Sequence, residues 1–169
     1  MAGRKVAARC IEPAPPLADI GVMSEPSRAD RRARIVERTV AETGVDEAMI
    51  ERLVRTFYGE VRADPVLGPV FESKIDDWEP HLQQMCAFWS SVMLMSGRYH
   101  GQPMRKHMPL PIGRTHFQRW LQLFEAAARR VCPAPAAEAF LDRAHRIAES
   151  LQLGLAVQRG EFPPVGSLV

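Results

Sequence analysis

The sequence predicts an all-α fold, and three observations carry that expectation. Apolar residues recur at helical spacing over several stretches longer than fifteen residues. Prolines and glycines cut the chain into pieces of helix length. No stretch alternates apolar and polar residues as a half-buried strand does, and no segment repeats.

The elements follow in order. Residues 1–26 contain four prolines and little periodicity, so disorder is expected there, and Met23 is a candidate alternative start. From Ser27 to Glu42 the pattern is that of a charged helix, with Gly44 as its C-cap. Asp46 is placed to cap the next helix, DEAMIERLVRTFYGEVRAD. There Ile50, Leu53, Val54, Phe57, Tyr58 and Val61 make one continuous apolar stripe. Pro65, Gly68 and Pro69 then break the chain into a short turn ending on Phe71.

Asp76 and Asp77 restart a helix that Gly97 is expected to end. Pro80 is acceptable in its first turn, where a missing N–H costs no intrahelical bond. His81, Met85, Phe88, Trp89, Val92 and Ser96 share one face. A short helical piece spans Pro103 to Met108, and a long helix runs from about Arg114 to Val131. Phe117, Trp120, Leu121, Phe124 and Ala128 form its stripe. After Pro133 and Pro135 a last helix covers about Ala136 to Val157, and the tail EFPPVGSLV is expected to be loose.

Composition bounds the function. At 169 residues the chain can bury one substantial core, and 46% hydrophobic with 25% charged residues is the profile of a globular protein. A net charge of +2 offers no clustered basic face for nucleic acid. The slight excess sits at the N-terminus, where residues 1–38 hold eight Lys and Arg against five Asp and Glu. Cys10, Cys86 and Cys132 are far apart, so a reduced, cytoplasmic protein is expected. No signal-peptide core or membrane span is visible.

Five histidines in an all-α chain raise the question of a metal or haem. A single histidine near a helix end is usually a surface residue or a cap, and an aromatic stripe at helical spacing is usually plain core. The combination is more informative. His81 stands at the start of one long helix beside Met85, Phe88 and Trp89, and His107 lies in the next short helical turn, PMRKHMPLP. Two histidines on successive elements, with apolar side chains between, can hold a flat apolar ring edge-in. HxxxH, ExxH and paired carboxylates are absent, which leaves a dinuclear site or zinc hydrolase without support.

Two stretches carry a resemblance: TFYGEVRADPVLGPVF, and WEPHLQQMCAFWSSVMLMSGRYHGQPMRKHMPLPIGRTHFQRWLQLF. Together they resemble the group III truncated haemoglobins, the bacterial two-over-two globins, from about Asp46 to Val157. The lack of Gly-Gly pairs is similar to that group as well. The resemblance implies a globin-like, truncated two-over-two helical sandwich at 45–160. Residues 1–44 would then be an N-terminal extension and 161–169 a tail.

It also implies roles. His107 matches the proximal histidine that ligates haem iron, and Tyr58 and Trp120 match the distal residues facing the ligand. His81 matches the histidine at the mouth of the distal pocket. Phe71 matches the phenylalanine packed on the porphyrin, and Met85, Phe88 and Trp89 match positions lining the ring. His116, in GRTHF, is the competing ligand, but the alignment makes it an ordinary helical position; His100 and His145 read as surface. Arg105 and Lys106 are placed in sequence either to meet haem propionates or to form a solvated basic face.

The implied cofactor is haem b, held without covalent attachment because CxxCH is missing. The implied ligands are oxygen, nitric oxide and carbon monoxide, bound by a monomer. Tyr58 and Trp120 would donate to bound oxygen, and each such bond is worth about 1.5–3 kcal/mol. That slows release by roughly tenfold or more per bond, which speaks against simple oxygen delivery. An enzymatic alternative converts nitric oxide to nitrate or reduces peroxide. It needs a separate reductase, because no GxGxxG fingerprint is present. A third reading is a haem-less interaction module.

Overall fold

A computed structural model describes residues 27–161. Expectations for 1–26, for a start at Met23 and for the tail 162–169 lie outside the described residues. Among the described residues there are seven helices: α1 (Arg28–Thr43), α2 (Glu47–Ala63), α3 (Gly68–Glu72), α4 (Trp78–Leu94), α5 (Pro103–His107), α6 (Arg114–Val131) and α7 (Ala134–Gln158). They contain no strand. The arrangement is a two-over-two helical sandwich, as the resemblance implies. α2 packs on α4, α6 packs on α7, and α2 crosses α6 to join the layers.

Local chemistry starts the helices where the sequence places its polar caps. Ser27 and Asp30 make a reciprocal capping box on α1, with bonds of 3.0 and 3.1 Å. The Asp46 carboxylate accepts the Met49 N–H at 2.7 Å, and Asp77 accepts that of Glu79 at 3.1 Å. Gly44 ends α1 in the left-handed region at φ 69°, as its position suggests.

Three boundaries differ from expectation. α4 ends at Leu94, before Gly97, because Met95 itself takes up the left-handed conformation at φ 50°. Arg32 of α1 donates to the Met95 carbonyl, and Ser96 Oγ bonds Ser90 Oγ at 2.7 Å, so tertiary bonds hold the earlier turn. The segment before Phe71 is a five-residue helix rather than a simple turn. α7 begins at Ala134, since Pro135 falls in its first turn and helps to start the helix.

α2 buries Met49, Ile50, Leu53, Val54, Phe57, Tyr58 and Val61, the whole expected stripe with one added residue. Phe57, Phe124 and Phe140 are the largest fully buried side chains, and each contributes about 1.5–3 kcal/mol of burial. Trp89 stacks on Phe124 at 4.9 Å between centroids, and Phe124 stacks on Trp120 at 5.0 Å. A second, smaller cluster gathers Ile112, Phe117, Ala148, Leu151 and Leu155, with Met104 and Leu110 against it. The candidate site lies between the two clusters.

Candidate functional site

α5 is the element that most needs explaining, since five residues cannot stand as a helix unaided. Pro103 pre-sets its first turn, and α7 supports it from below. Gly154 makes that support possible. A side chain there would put its Cβ 2.1 Å from Cε of Met104, so the methionine occupies space that the glycine leaves open. The sequence reading gave Gly154 no role.

His107 closes α5. Its Nδ1 lies 2.8 Å from the carbonyl oxygen of Pro103. A carbonyl can only accept, so Nδ1 carries the proton and Nε2 keeps its lone pair free. His116 has the opposite arrangement. Its Nδ1 accepts the N–H of Gly113 at 3.2 Å, which leaves the proton of the neutral ring on Nε2. Of the two candidate ligands, only His107 presents an unprotonated Nε2.

A cavity of about 510 Å³ opens between the helices, within the roughly 300–1,000 Å³ range of cofactor sites. It brings together all ten residues singled out from the sequence: Tyr58, Phe71, His81, Met85, Phe88, Trp89, Arg105, Lys106, His107 and Trp120. Its wall also includes residues the sequence reading passed over, notably Leu67, Tyr99, Ile147, Ala148 and Leu151, and it includes His116, which was read as an ordinary helical position. The α7 trio has ordinary core spacing, so no local signal marks it. Tyr99 had one: Gly101 follows it closely, and the phenol lies where a Cβ on Gly101 would be.

In the same cavity wall, Tyr58 and His81 meet with perpendicular rings 5.1 Å apart, and Phe71 lies 5.8 Å from Tyr58. Burial pushes the Tyr58 hydroxyl well above its ordinary range, so it stays a protonated donor. Burial also lowers the His81 pKa, which favours a neutral imidazole. His81 Nε2 is buried without a hydrogen-bond partner among the described residues. A native structure seldom leaves such an atom unsatisfied, and this one belongs to a cavity-lining side chain. Trp120 meets Phe57 edge-on at 5.2 Å. Arg105 and Lys106 are exposed residues of the lining, and Arg105 also bonds Gln102 at 3.1 Å.

These residues fit an iron porphyrin. An apolar, aromatic slot would suit a flat ring, and Nε2 of His107 would be available to hold its iron. Among the described residues no three His, Cys, Asp or Glu side chains converge to hold a metal ion by themselves.

The sequence profile of the bacterial-like globins matches residues 40–153. A group 3 truncated hemoglobin of Campylobacter jejuni is 34% identical over 113 residues, which are 64% of this chain and 89% of that protein. The chain is a group III truncated haemoglobin. The crystal structure of a group III truncated hemoglobin from C. jejuni matches this truncated haemoglobin with a TM-score of 0.62, covering 66% of this chain and 91% of the other. The hemoglobin of Chloroflexus aurantiacus matches at 27% identity and a TM-score of 0.57, covering 67% and 95%. The group II truncated hemoglobin of Bacillus anthracis matches at 26% identity and 0.58, covering 67% and 88%. The profile begins at residue 40, so most of α1 lies before the stretch that defines the truncated haemoglobin. Among the described residues no helix is long and apolar enough to cross a membrane.

Proposed function

We propose that this truncated haemoglobin binds b-type haem through Nε2 of His107 and receives oxygen, or another diatomic ligand, on the side of Tyr58 and Trp120. The observation that carries the reading is the 2.8 Å contact between Nδ1 of His107 and the Pro103 carbonyl oxygen, which favours the tautomer that leaves Nε2 as a ligand. When bound, haem would supply an iron able to take up a small diatomic molecule. The protein does the rest. His107 fixes the ring from one face, and the Pro103 carbonyl keeps its imidazole from rotating and raises its basicity. Phe71, Met85, Phe88 and Trp89 exclude water from the slot. Tyr58 and Trp120 donate to the outer atom of the ligand, where negative charge gathers. Arg105 and Lys106 supply cations for the ring's carboxylates.

The test is an absorption spectrum of the haem-loaded chain, reduced and exposed to carbon monoxide. A Soret band that shifts with carbon monoxide in wild type and in His116→Ala, but is lost or strongly altered in His107→Ala, supports this assignment. A band retained in His107→Ala and lost in His116→Ala reverses it.

A second reading is supported by His81. Its buried, unpartnered Nε2 and lowered pKa suit a base that takes a proton during chemistry on a bound ligand. This would be nitric oxide dioxygenation or peroxide reduction with a separate reductase. Clearance of nitric oxide at no more than one equivalent per haem, with a generic reductant present, removes the first, and peroxide consumption no faster than with free haem removes the second.

A further inference from the structure

One buried carboxylate fastens the three elements that carry Tyr58, Phe71 and Trp120. Asp64 follows α2 directly, and its side chain is 2% exposed. One oxygen, Oδ1, accepts the backbone N–H groups of Val66 and Leu67 at 3.0 and 2.9 Å, which turns the chain into α3 and toward Phe71. The other, Oδ2, accepts Nε of Arg119 at 2.7 Å. Arg119 is the residue immediately before Trp120 on α6.

Among the described residues the aromatic contacts of Trp120 are stacking on Phe124 and an edge contact with Phe57. Ring contacts of this kind tolerate sliding and small rotations, whereas a charged hydrogen bond is short and directional. Consecutive residues on a helix sit about 100° apart on one rigid turn, so a bond that fixes Arg119 also fixes the direction in which Trp120 points. We infer that Asp64 is a positioning residue for the ligand-facing side of the cavity. Through Arg119 it sets the rotation of α6 that aims the Trp120 indole, and through its two amide bonds it holds Phe71 against Tyr58. This rests on the proposed role of Trp120 as a donor to ligand.

The experiment uses the full chain loaded with haem and carbon monoxide, with the C–O stretching band read by infrared absorption and the oxygen off-rate by stopped flow. The indole N–H resonance of Trp120 in the haem-free chain, identified by its loss in Trp120→Phe, is a third readout. Asp64→Asn and Arg119→Met are compared with wild type, with Trp120→Phe as reference and Arg129→Met, which breaks a surface pair with Glu125 and Glu138, as control.

Positioning predicts that both variants split or shift the band, speed oxygen release severalfold toward the Trp120→Phe value, and displace the indole resonance, while the control does none of these. A loss of fold stability alone moves none of the three readouts. Should Asp64→Asn not fold, Arg119→Met decides, because Arg119 is 41% exposed and its loss leaves both amide bonds of Asp64 in place. Wild-type band, off-rate and resonance in Arg119→Met, with all three altered in Trp120→Phe, overturn the inference. If Trp120→Phe leaves band and off-rate unmoved, the donor reading fails instead. The indole resonance then decides the positioning role by itself: displaced in Arg119→Met it stands, and unmoved it falls.

Discussion

The imidazole of His81 stands perpendicular to the phenol of Tyr58, 5.1 Å between centroids, with its own Nε2 buried and unpartnered among the described residues. Two polar rings thus face one apolar cavity from adjacent helices, one a firm donor and the other able to give or take a proton.

Removing either fixed donor is expected to speed ligand release. On the proposed reading, Tyr58→Phe and Trp120→Phe would each delete one hydrogen bond to a charged acceptor, worth about 1.5–3 kcal/mol, which is roughly tenfold or more in rate. Stopped-flow displacement of oxygen by carbon monoxide reads this directly. Wild-type off-rates in both variants would remove these residues from the ligand's reach.

His81 gives stability a pH dependence of definite sign. Its folded-state pKa lies below the ordinary value of about 6.5, so between the two values the unfolded chain binds more protons than the folded one. Stability therefore falls as the pH drops through about 6.5 and levels off once the folded-state imidazole also charges. Melting temperatures of wild type and His81→Gln between about pH 5 and 8 are expected to converge on the acid side. Parallel curves would mean that His81 titrates alike in both states.

Gly68 is held by backbone, not by φ. A Cβ there would lie 2.9 Å from the Arg62 carbonyl oxygen, and the Gly68 N–H bonds the Asp64 carbonyl at 2.8 Å. Gly68→Ala must push α3 away from the end of α2, at a cost of about 1–3 kcal/mol. Urea unfolding checks this; a midpoint equal to wild type would show that α3 yields freely.

Gly154 and Met104 form a pair whose coupling can be measured. Gly154→Ala alone forces the end of Met104 to move, and that cost is expected to offset part or all of the gain in helix propensity. In a Met104→Ala background the space is open, and the same change should stabilise α7 by about 0.8–1 kcal/mol of helix propensity. An identical effect of Gly154→Ala in both backgrounds would mean that the two residues do not share this space.

Much of this was legible in the sequence because the strongest signals are periodic. The α2 stripe from Ile50 to Val61 states both helix and core face, and the family motifs lead to cavity residues on five different helices. Other features have no local signature. Gly97 looks like the end of α4, yet Arg32, sixty-three residues before Met95, bonds its carbonyl and the turn comes earlier. Pro133 and Pro135 read as a break, although a proline in the first turn starts a helix as readily as it ends one. His116 looks like an ordinary helical position; only the third dimension puts it on the cavity wall and reveals, through Gly113, which nitrogen bears its proton. Asp64 was read as the last letter of a helix, since neither its burial nor its bond to Arg119 can be inferred from neighbours in the chain.

The three tryptophans of the chain surround the cavity: Trp89 and Trp120 in its wall, and Trp78 edge-on to His81 at 5.8 Å. A porphyrin absorbs where indoles emit, so one held in this slot would take up their energy before a photon could leave. On the proposed reading the protein carries a built-in optical gauge: it would glow when empty and darken as the slot fills. Cofactor capture and loss can be followed by ultraviolet light alone, at concentrations too low for colour to be seen.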